Sequence, residues 1–274
     1  MTVLLTAALL LGLYLFLLMP RMLHRPDTSV LCGWQYAHRG LHGRTDEAPE
    51  NTQEAFRRAV AHGYGIELDV QLTKDEQVVV FHDATLNRVC KTEAAVRDRT
   101  YDELLRLRVE DSEERIPLLS EVLREVDGRV PLIIEIKMVD CNTRVCELTD
   151  QILRNYRGVY GIESFHPFAV RWYKKHRPDI IRGQLSADFS KEGDGKENWA
   201  MFAVHHLVTN VLCRPDFIAY SWKSKKAVGR TLCRKLFRCL SVAWTIRSEE
   251  EYHQAEDAYD LFIFEHFLPE GRSR

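Results

Sequence analysis

Between residues 36 and 83 the chain reads YAHRGLHGRTDEAPENTQEAFRRAVAHGYGIELDVQLTKDEQVVVFHD, a stretch containing His38, Arg39, Glu50, Glu67, Asp69 and His82. Its informative part is GIELDVQL. Alternate side chains of a strand point to opposite faces, so Glu67 and Asp69 share one face while Ile66, Leu68 and Val70 share the other. Neighbouring carboxylates repel unless a cation lies between them, and an all-oxygen set of that kind suits a hard divalent ion. PLIIEIKM repeats the device with Glu135 and Lys137 on one face and Ile134, Ile136 and Met138 on the other. A single such strand fits a half-exposed edge. Two of them, each apolar on the reverse side, fit a barrel whose outer face packs on helices and whose inner face carries polar groups at the strand ends.

The elements around these residues alternate. Strands are expected at 34–38, 65–72, 78–82, 131–137, 159–164, 180–185, 217–221, 240–244 and 261–264. Helices are expected at 51–62, 118–126, 143–156, 167–176, 223–234 and 248–258. Strands separated by helix-length segments imply βαβ units and a parallel sheet. The length of 274 residues suits one (β/α)₈ TIM barrel, which needs about 250 residues, plus an extension. Two connections, 84–117 and 186–215, exceed an ordinary βα loop. The second holds the apolar run Trp199-Ala-Met-Phe-Ala-Val, which reads either as a helix packed outside the barrel or as a lid whose Trp199, Met201 and Phe202 meet acyl chains.

Net charge is −2 with both signs interspersed. No basic tract or aromatic-basic stripe is present, which excludes an evident nucleic-acid surface. The seven cysteines lack CxxC pairing, which argues against a zinc site or disulfide framework and for a reducing compartment. His42, His62, His205, His206 and Trp199 read as structural or surface residues. Residues 1–19 carry no charged side chain; as a helix they would span about 28 Å against a hydrocarbon core of ~30 Å. A cleaved signal peptide would want positive charge before the run and a small-residue site after it. Arg21 and Arg25 instead follow it, which favours an uncleaved transmembrane anchor with a cytoplasmic catalytic domain. The expected organisation is an anchor at 1–20, a linker at 21–33 and a catalytic barrel at 34–274, with an insertion about 73–117.

The ordered set His38-Arg39-Gly40, Pro49-Glu50-Asn51-Thr52, Glu67-Leu68-Asp69-Val70, Phe81-His82-Asp83, Leu86-Asn87-Arg88 and Glu135-Ile136-Lys137 resembles the glycerophosphodiester phosphodiesterase family from about residue 34 to the C-terminus. The resemblance implies a TIM barrel with a small insertion after the second strand. It also implies hydrolysis of glycerophosphodiesters to glycerol 3-phosphate and an alcohol, with one divalent cation, Mg²⁺ or Ca²⁺. By the family pattern Glu67, Asp69 and Glu135 hold the metal, with Glu50 at its edge. His38 and His82 form the acid–base pair, and Arg39 and Lys137 contact phosphate. Ser164 to Pro167 and Ala243 to Tyr252 resemble later family segments, and Trp244 would pack on glycerol. The last strand departs: where the family ends in Thr-Asp before Pro, this chain has Glu265 and His266 ahead of Pro269. Lysophospholipase D-type cleavage and a non-catalytic barrel that binds phospholipid head groups are the alternatives, since a fold does not dictate a function.

Overall fold

The structure, a computed structural model, describes residues 1–43, 48–191 and 198–270. Nine strands form one sheet: β1 (Gln35–Ala37), β2 (Gly65–Leu72), β3 (Val78–Val80), β4 (Leu132–Ile136), β5 (Tyr160–Ser164), β6 (Ile181–Ser186), β7 (Phe217–Ser221), β8 (Leu240–Ile246) and β9 (Leu261–Phe264). Their order is β1-β9-β8-β7-β6-β5-β4-β2-β3, and β1 also pairs with β2. That last pairing closes a barrel of eight parallel strands. The exception is β3, which pairs antiparallel with β2 alone. The expected strand at 78–82 is therefore a hairpin arm outside the barrel, and His82 lies in the loop after it.

The helices are α1 (Thr2–Leu18), α2 (Gln53–Ala61), α3 (Asn87–Cys90), α4 (Tyr101–Leu104), α5 (Leu119–Val126), α6 (Arg144–Leu153), α7 (Pro167–His176), α8 (Trp199–His205), α9 (Asn210–Cys213), α10 (Val228–Lys235) and α11 (Glu249–Ala255). The period-2 patterns set the layers. Ile66, Leu68 and Val70 of β2, with Ile134 and Ile136 of β4, pack outward on Phe56 of α2 and Val122 of α5. The opposite faces of the strands build a second core from Tyr36, Ile133, Ile181, Phe217, Val242 and Ile263 inside the barrel. Leu31, in a 3₁₀ turn at Thr28–Leu31, is wholly buried against this cluster and plugs it from the N-terminal side. The Tyr36 hydroxyl donates to the Leu31 carbonyl at 2.8 Å. The insertion after β2 has a core of its own, in which Phe81, Leu86, Val96 and Leu104 collect with Ile116.

The apolar N-terminal stretch folds as expected into a helix, but one of 17 residues. At 1.5 Å per residue it reaches about 26 Å, short of a ~30 Å hydrocarbon core. No helix among the described residues is long and apolar enough to cross a membrane. Most of its side chains are exposed, while Tyr14 packs part-buried on the core and the last turn docks. There Leu18 is buried, Asn210 Nδ2 donates to the Leu18 carbonyl at 2.8 Å, and Arg214 donates to the Phe16 and Met19 carbonyls. A guanidinium at this end satisfies carbonyls that a helix C-terminus leaves without partners.

Candidate active site

The C-terminal ends of β1, β2, β4 and β9 converge on one charged mouth. Parallel register places Asp69 opposite Glu135, and Glu135 opposite Glu163. Carboxylate oxygens of Glu67, Asp69 and Glu135 lie within 4.8 Å of one another, and all three residues are buried. Removing three carboxylates from water without compensation is costly. Burial, reinforced by repulsion from Asp69, holds the Glu67 carboxyl well above its ordinary pKa. Burial likewise pushes Glu135 up to about 7, against the pull of Lys137. The Lys137 ammonium sits 3.0 Å from Asp69 and 2.8 Å from Glu135. It keeps Asp69 ionised despite burial, with the imidazole of His82 and the guanidinium of Arg39 acting in the same direction. A set of three hard oxygen donors under mutual repulsion fits one divalent cation of the Mg²⁺ or Ca²⁺ type.

Backbone geometry explains the Arg39-Gly40 pair. Arg39 takes a left-handed φ of +54°, an uncommon conformation for a side-chain-bearing residue. Its N–H there donates to Glu67 Oε2 at 3.1 Å. Gly40 follows with φ +83°, and a Cβ on it would meet Ala55 Cβ at 2.8 Å. Only glycine lets the chain pass so close to α2.

Two histidines flank the carboxylates, each tied through Nδ1 to a carboxylate of its own. His38 Nδ1–H donates to Glu265 Oε2 at 2.5 Å, and its Nε2 lies 3.8 Å from Glu67. His82 Nδ1–H donates to Asp83 Oδ1 at 2.7 Å. A neutral imidazole held in this way carries its free lone pair on Nε2. Burial pushes the His38 imidazole down to about 4, while Glu265 opposes that fall. Burial also lowers His82, with Asp69 opposing.

Of the expected site residues, the structure brings His38, Arg39, Glu67, Asp69, His82, Glu135 and Lys137 into one mouth. Glu50 is the exception: its oxygens are not among the three-carboxylate group. Arg39 donates to it at 2.9 Å, and Arg88 grips it through two bonds of 2.6 and 2.9 Å. Arg88 also donates to Asp83 at 2.7 Å, so one guanidinium joins the Glu50 and His82 sides. Such paired charge-assisted bonds fix geometry. Trp244 lies at a register shift in β8, with its ring edge-on to Phe165 at 5.5 Å.

Several contributors had no site role assigned from the sequence, Asn51 being named there only as part of a motif. Glu163 is buried on the inner face of β5, and burial beside Glu135 raises its carboxyl well above the usual range. The alternation in Tyr160-Gly-Ile-Glu-Ser held the signal, because Ile162 faces the outer core. Asn51 Nδ2 donates to Asp69 Oδ2 at 2.9 Å. His42, read as structural, stands 3.8 Å from Glu265 with its ring 5.2 Å from that of His266. These contacts come from chain segments far apart in sequence, which no local pattern displays.

Residues 38–259 match the model of the glycerophosphoryl diester phosphodiesterase family. A glycerophosphodiester phosphodiesterase of Bacillus altitudinis is 36% identical over 172 residues, 58% of this chain and 69% of that protein. A lysophospholipase D of Rattus norvegicus is 37% identical over 167 residues, 55% of this chain but 52% of its own length. The fold matches that of an Oleispira antarctica phosphodiesterase solved with the product sn-glycerol-3-phosphate, at TM-score 0.67, 21% identity, and coverage of 85% of this chain and 93% of that one. A Thermotoga maritima glycerophosphodiester phosphodiesterase matches at TM-score 0.66 and 24% identity, covering 84% and 94%. The chain belongs to the glycerophosphoryl diester phosphodiesterase family and is an enzyme of the phosphoric diester hydrolase class.

Proposed function

We propose that the protein hydrolyses glycerophosphodiesters to glycerol 3-phosphate and an alcohol, using a divalent cation and two histidines. The observation that carries this reading is the group of Glu67, Asp69 and Glu135, with oxygens within 4.8 Å, touched on one side by His38 and on the other by Lys137. Glu67, Asp69 and Glu135 would hold Mg²⁺ or Ca²⁺, which when bound would neutralise charge growing on the non-bridging phosphate oxygens. Arg39 and Lys137 bind and orient the phosphate. One of His38 and His82 takes the proton of the attacking water at its Nε2, and the other gives a proton to the departing alkoxide. Glu265 and Asp83 hold the two rings, and Trp244 supports the glycerol moiety.

We further propose that the N-terminal helix attaches the enzyme to a membrane with the barrel on the cytoplasmic side. The support is that helix's apolar exposed surface and the Arg21 and Arg25 that follow it. Partition of the full chain and of a chain lacking residues 1–20 between membrane and soluble fractions tests this. Equal partition of both would end it.

The test of the activity is release of glycerol 3-phosphate from glycerophosphocholine, glycerophosphoethanolamine and glycerophosphoglycerol in Mg²⁺ or Ca²⁺. Release that stops on adding EDTA and returns with excess cation is the expected result. No release from any head group with either ion would overturn the reading.

A further inference from the structure

Two groups of ring side chains lie near His82 and His38. On α8, Trp199 and Phe202 stack on each other at 5.7 Å and stay exposed, while Met201 lines an apolar cleft that ends at His82. The expected lid thus keeps its two aromatics out of that cleft, and the charged residues 192–197 before it lie outside the described residues. The second group consists of histidines. It gathers at the Nδ1 edge of His38, whose Nε2 edge faces Glu67.

One ligand atom each of His38, His42 and Glu265 lies within 4.8 Å of the other two. Glu265 Oε2 is the shared point, 2.5 Å from His38 Nδ1 and 3.8 Å from His42 Nε2. Arg247 donates to the other oxygen at 2.7 Å, which leaves Oε2 to the imidazoles. His266 stands close by, with its Nε2 3.7 Å from Glu265 Oε1. The His42 side chain is 9% exposed, yet its buried Nε2 finds no hydrogen-bond partner among the described residues. A buried polar atom in that position is costly and calls for an explanation. Its distance from Oε2 is too long for a hydrogen bond but close to that between two ligands of one ion. Donor type separates this group from the three carboxylates. Those suit a hard ion, whereas two imidazoles with one carboxylate suit zinc and its neighbours in the transition series.

We propose that His38, His42 and Glu265 form a second cation site, for an ion of the Zn²⁺ class, whose filling switches the enzyme off. The binding half stands on this geometry, and the inhibitory half rests on the role proposed above for His38. The three side chains supply three corners of a tetrahedron, with water at the fourth. Donors at zinc's bond lengths stand roughly 3.3–3.6 Å apart, so His42 Nε2 closes slightly on Oε2 and His38 Nδ1 draws back from it. For turnover, Glu265 holds the Nδ1 proton of His38 and leaves the Nε2 lone pair available. An ion on Nδ1 reverses this, because the ring's one proton then sits on Nε2. Such a ring cannot accept a proton from water there. Nor does it serve as an acid, since giving up that proton would leave an imidazolate instead of a neutral imidazole.

The test titrates Zn²⁺ into the full chain in saturating Mg²⁺, so that Mg²⁺ competes for the three carboxylates. Calorimetry should show one Zn²⁺ bound per chain, and Co²⁺ in its place should give the visible absorption of a tetrahedral site. His42→Gln should weaken Zn²⁺ binding by about tenfold or more, since even the partners behind a ligand are worth that much, and should remove the Co²⁺ band. Hydrolysis of glycerophosphocholine is then followed relative to each protein's own rate in Mg²⁺ alone. Zn²⁺ should lower it in the native chain, more Mg²⁺ should not restore it, and His42→Gln should need about tenfold more Zn²⁺ for half-inhibition. Inhibition that Mg²⁺ reverses, or that His42→Gln leaves unchanged, places Zn²⁺ among Glu67, Asp69 and Glu135 and overturns the proposal. Zn²⁺ bound through His42 without loss of rate overturns the switch. If His42→Gln melts too low to use, X-ray absorption of the native chain decides: two imidazoles around Zn²⁺ support the site, and oxygens alone overturn it. If no diester is hydrolysed, the phosphodiesterase reading fails, and calorimetry with the Co²⁺ band still decides the site, which absence of binding overturns.

Discussion

The two ends of this barrel's interior invite comparison. At the N-terminal end the inward positions are Tyr36, Ile133, Ile181, Phe217 and Val242, sealed by Leu31. At the C-terminal end β2, β4 and β5 turn inward Glu67, Asp69, Glu135 and Glu163, and Glu265 follows β9, all of them buried. The first arrangement gains from removing apolar surface from water, at roughly 25 cal/mol per Å². The second loses by desolvating charge and persists only where cations, internal or bound, answer it. One end stabilises the fold and the other is loaded for chemistry. Substitutions at the two ends should therefore separate cleanly into effects on stability and effects on rate.

The sharpest division should come from the carboxylates. Chelation by EDTA should abolish turnover, and Glu67→Gln should raise the cation concentration needed for half-activity by about tenfold or more, in line with loss of a metal ligand. Because it removes buried repulsion, the same change should leave the melting temperature unchanged or higher. Full activity in excess chelator would erase the contrast between the two ends. Slightly smaller losses are expected at the histidines: His38→Ala and His82→Ala should each lower kcat by about 10²–10⁴-fold. The double variant should fall far short of the product of the singles, since groups that act together are non-additive. A strictly multiplicative loss would show that they do not share one reaction.

Glu265 sharpens the comparison further, because it acts on His38 rather than as an expected metal ligand. Its carboxylate favours the imidazolium and so raises the His38 pKa against burial, which nonetheless leaves it near 4. Glu265→Gln removes that charge. The His38 pKa then falls further, and the limb of the pH–rate profile that His38 governs moves to lower pH. Turnover should drop by about tenfold, as for loss of a supporting partner. An unmoved limb would reduce Glu265 to packing.

Legibility from the sequence followed the same division. β2, β7 and β9 were placed residue for residue, because alternation or a short apolar run between turns marks a strand wherever the neighbours are. Glu67, Asp69, Glu135 and Lys137 were visible because β2 and β4 are apolar on the opposite face, whereas His38 and Arg39 stood out through the ordered motifs in which they lie. The strand at 78–82 was also seen, but periodicity cannot tell a barrel strand from the hairpin arm that β3 is. Glu265, Arg88 and His42 gained their roles from partners up to 227 residues away, as with His38 and Glu265. Such pairings are properties of the closed barrel. The N-terminal helix matched in place but not in reach, since its C-terminal end is set where Leu18 is buried and Arg214 takes the Met19 carbonyl rather than by hydropathy.

The smallest effect on rate, and a large one on stability, is expected at the sealed end. Leu31 is fully buried among Tyr36, Ile181 and Phe217 and lies on the side of the barrel opposite the carboxylates. Leu31→Ala deletes buried methyl groups and leaves a cavity that a closed ring of strands can only partly collapse, which should cost about 2–5 kcal/mol. For a chain of this size each kcal/mol moves the midpoint by about 2–4 °C, so a fall on the order of 10 °C should appear on thermal unfolding. Per folded molecule kcat/KM should stay within about twofold, since the three carboxylates are held from β2 and β4 and need nothing from the floor. If turnover instead fell in step with stability, the floor and the mouth would be one coupled unit and the separation drawn between them would not hold.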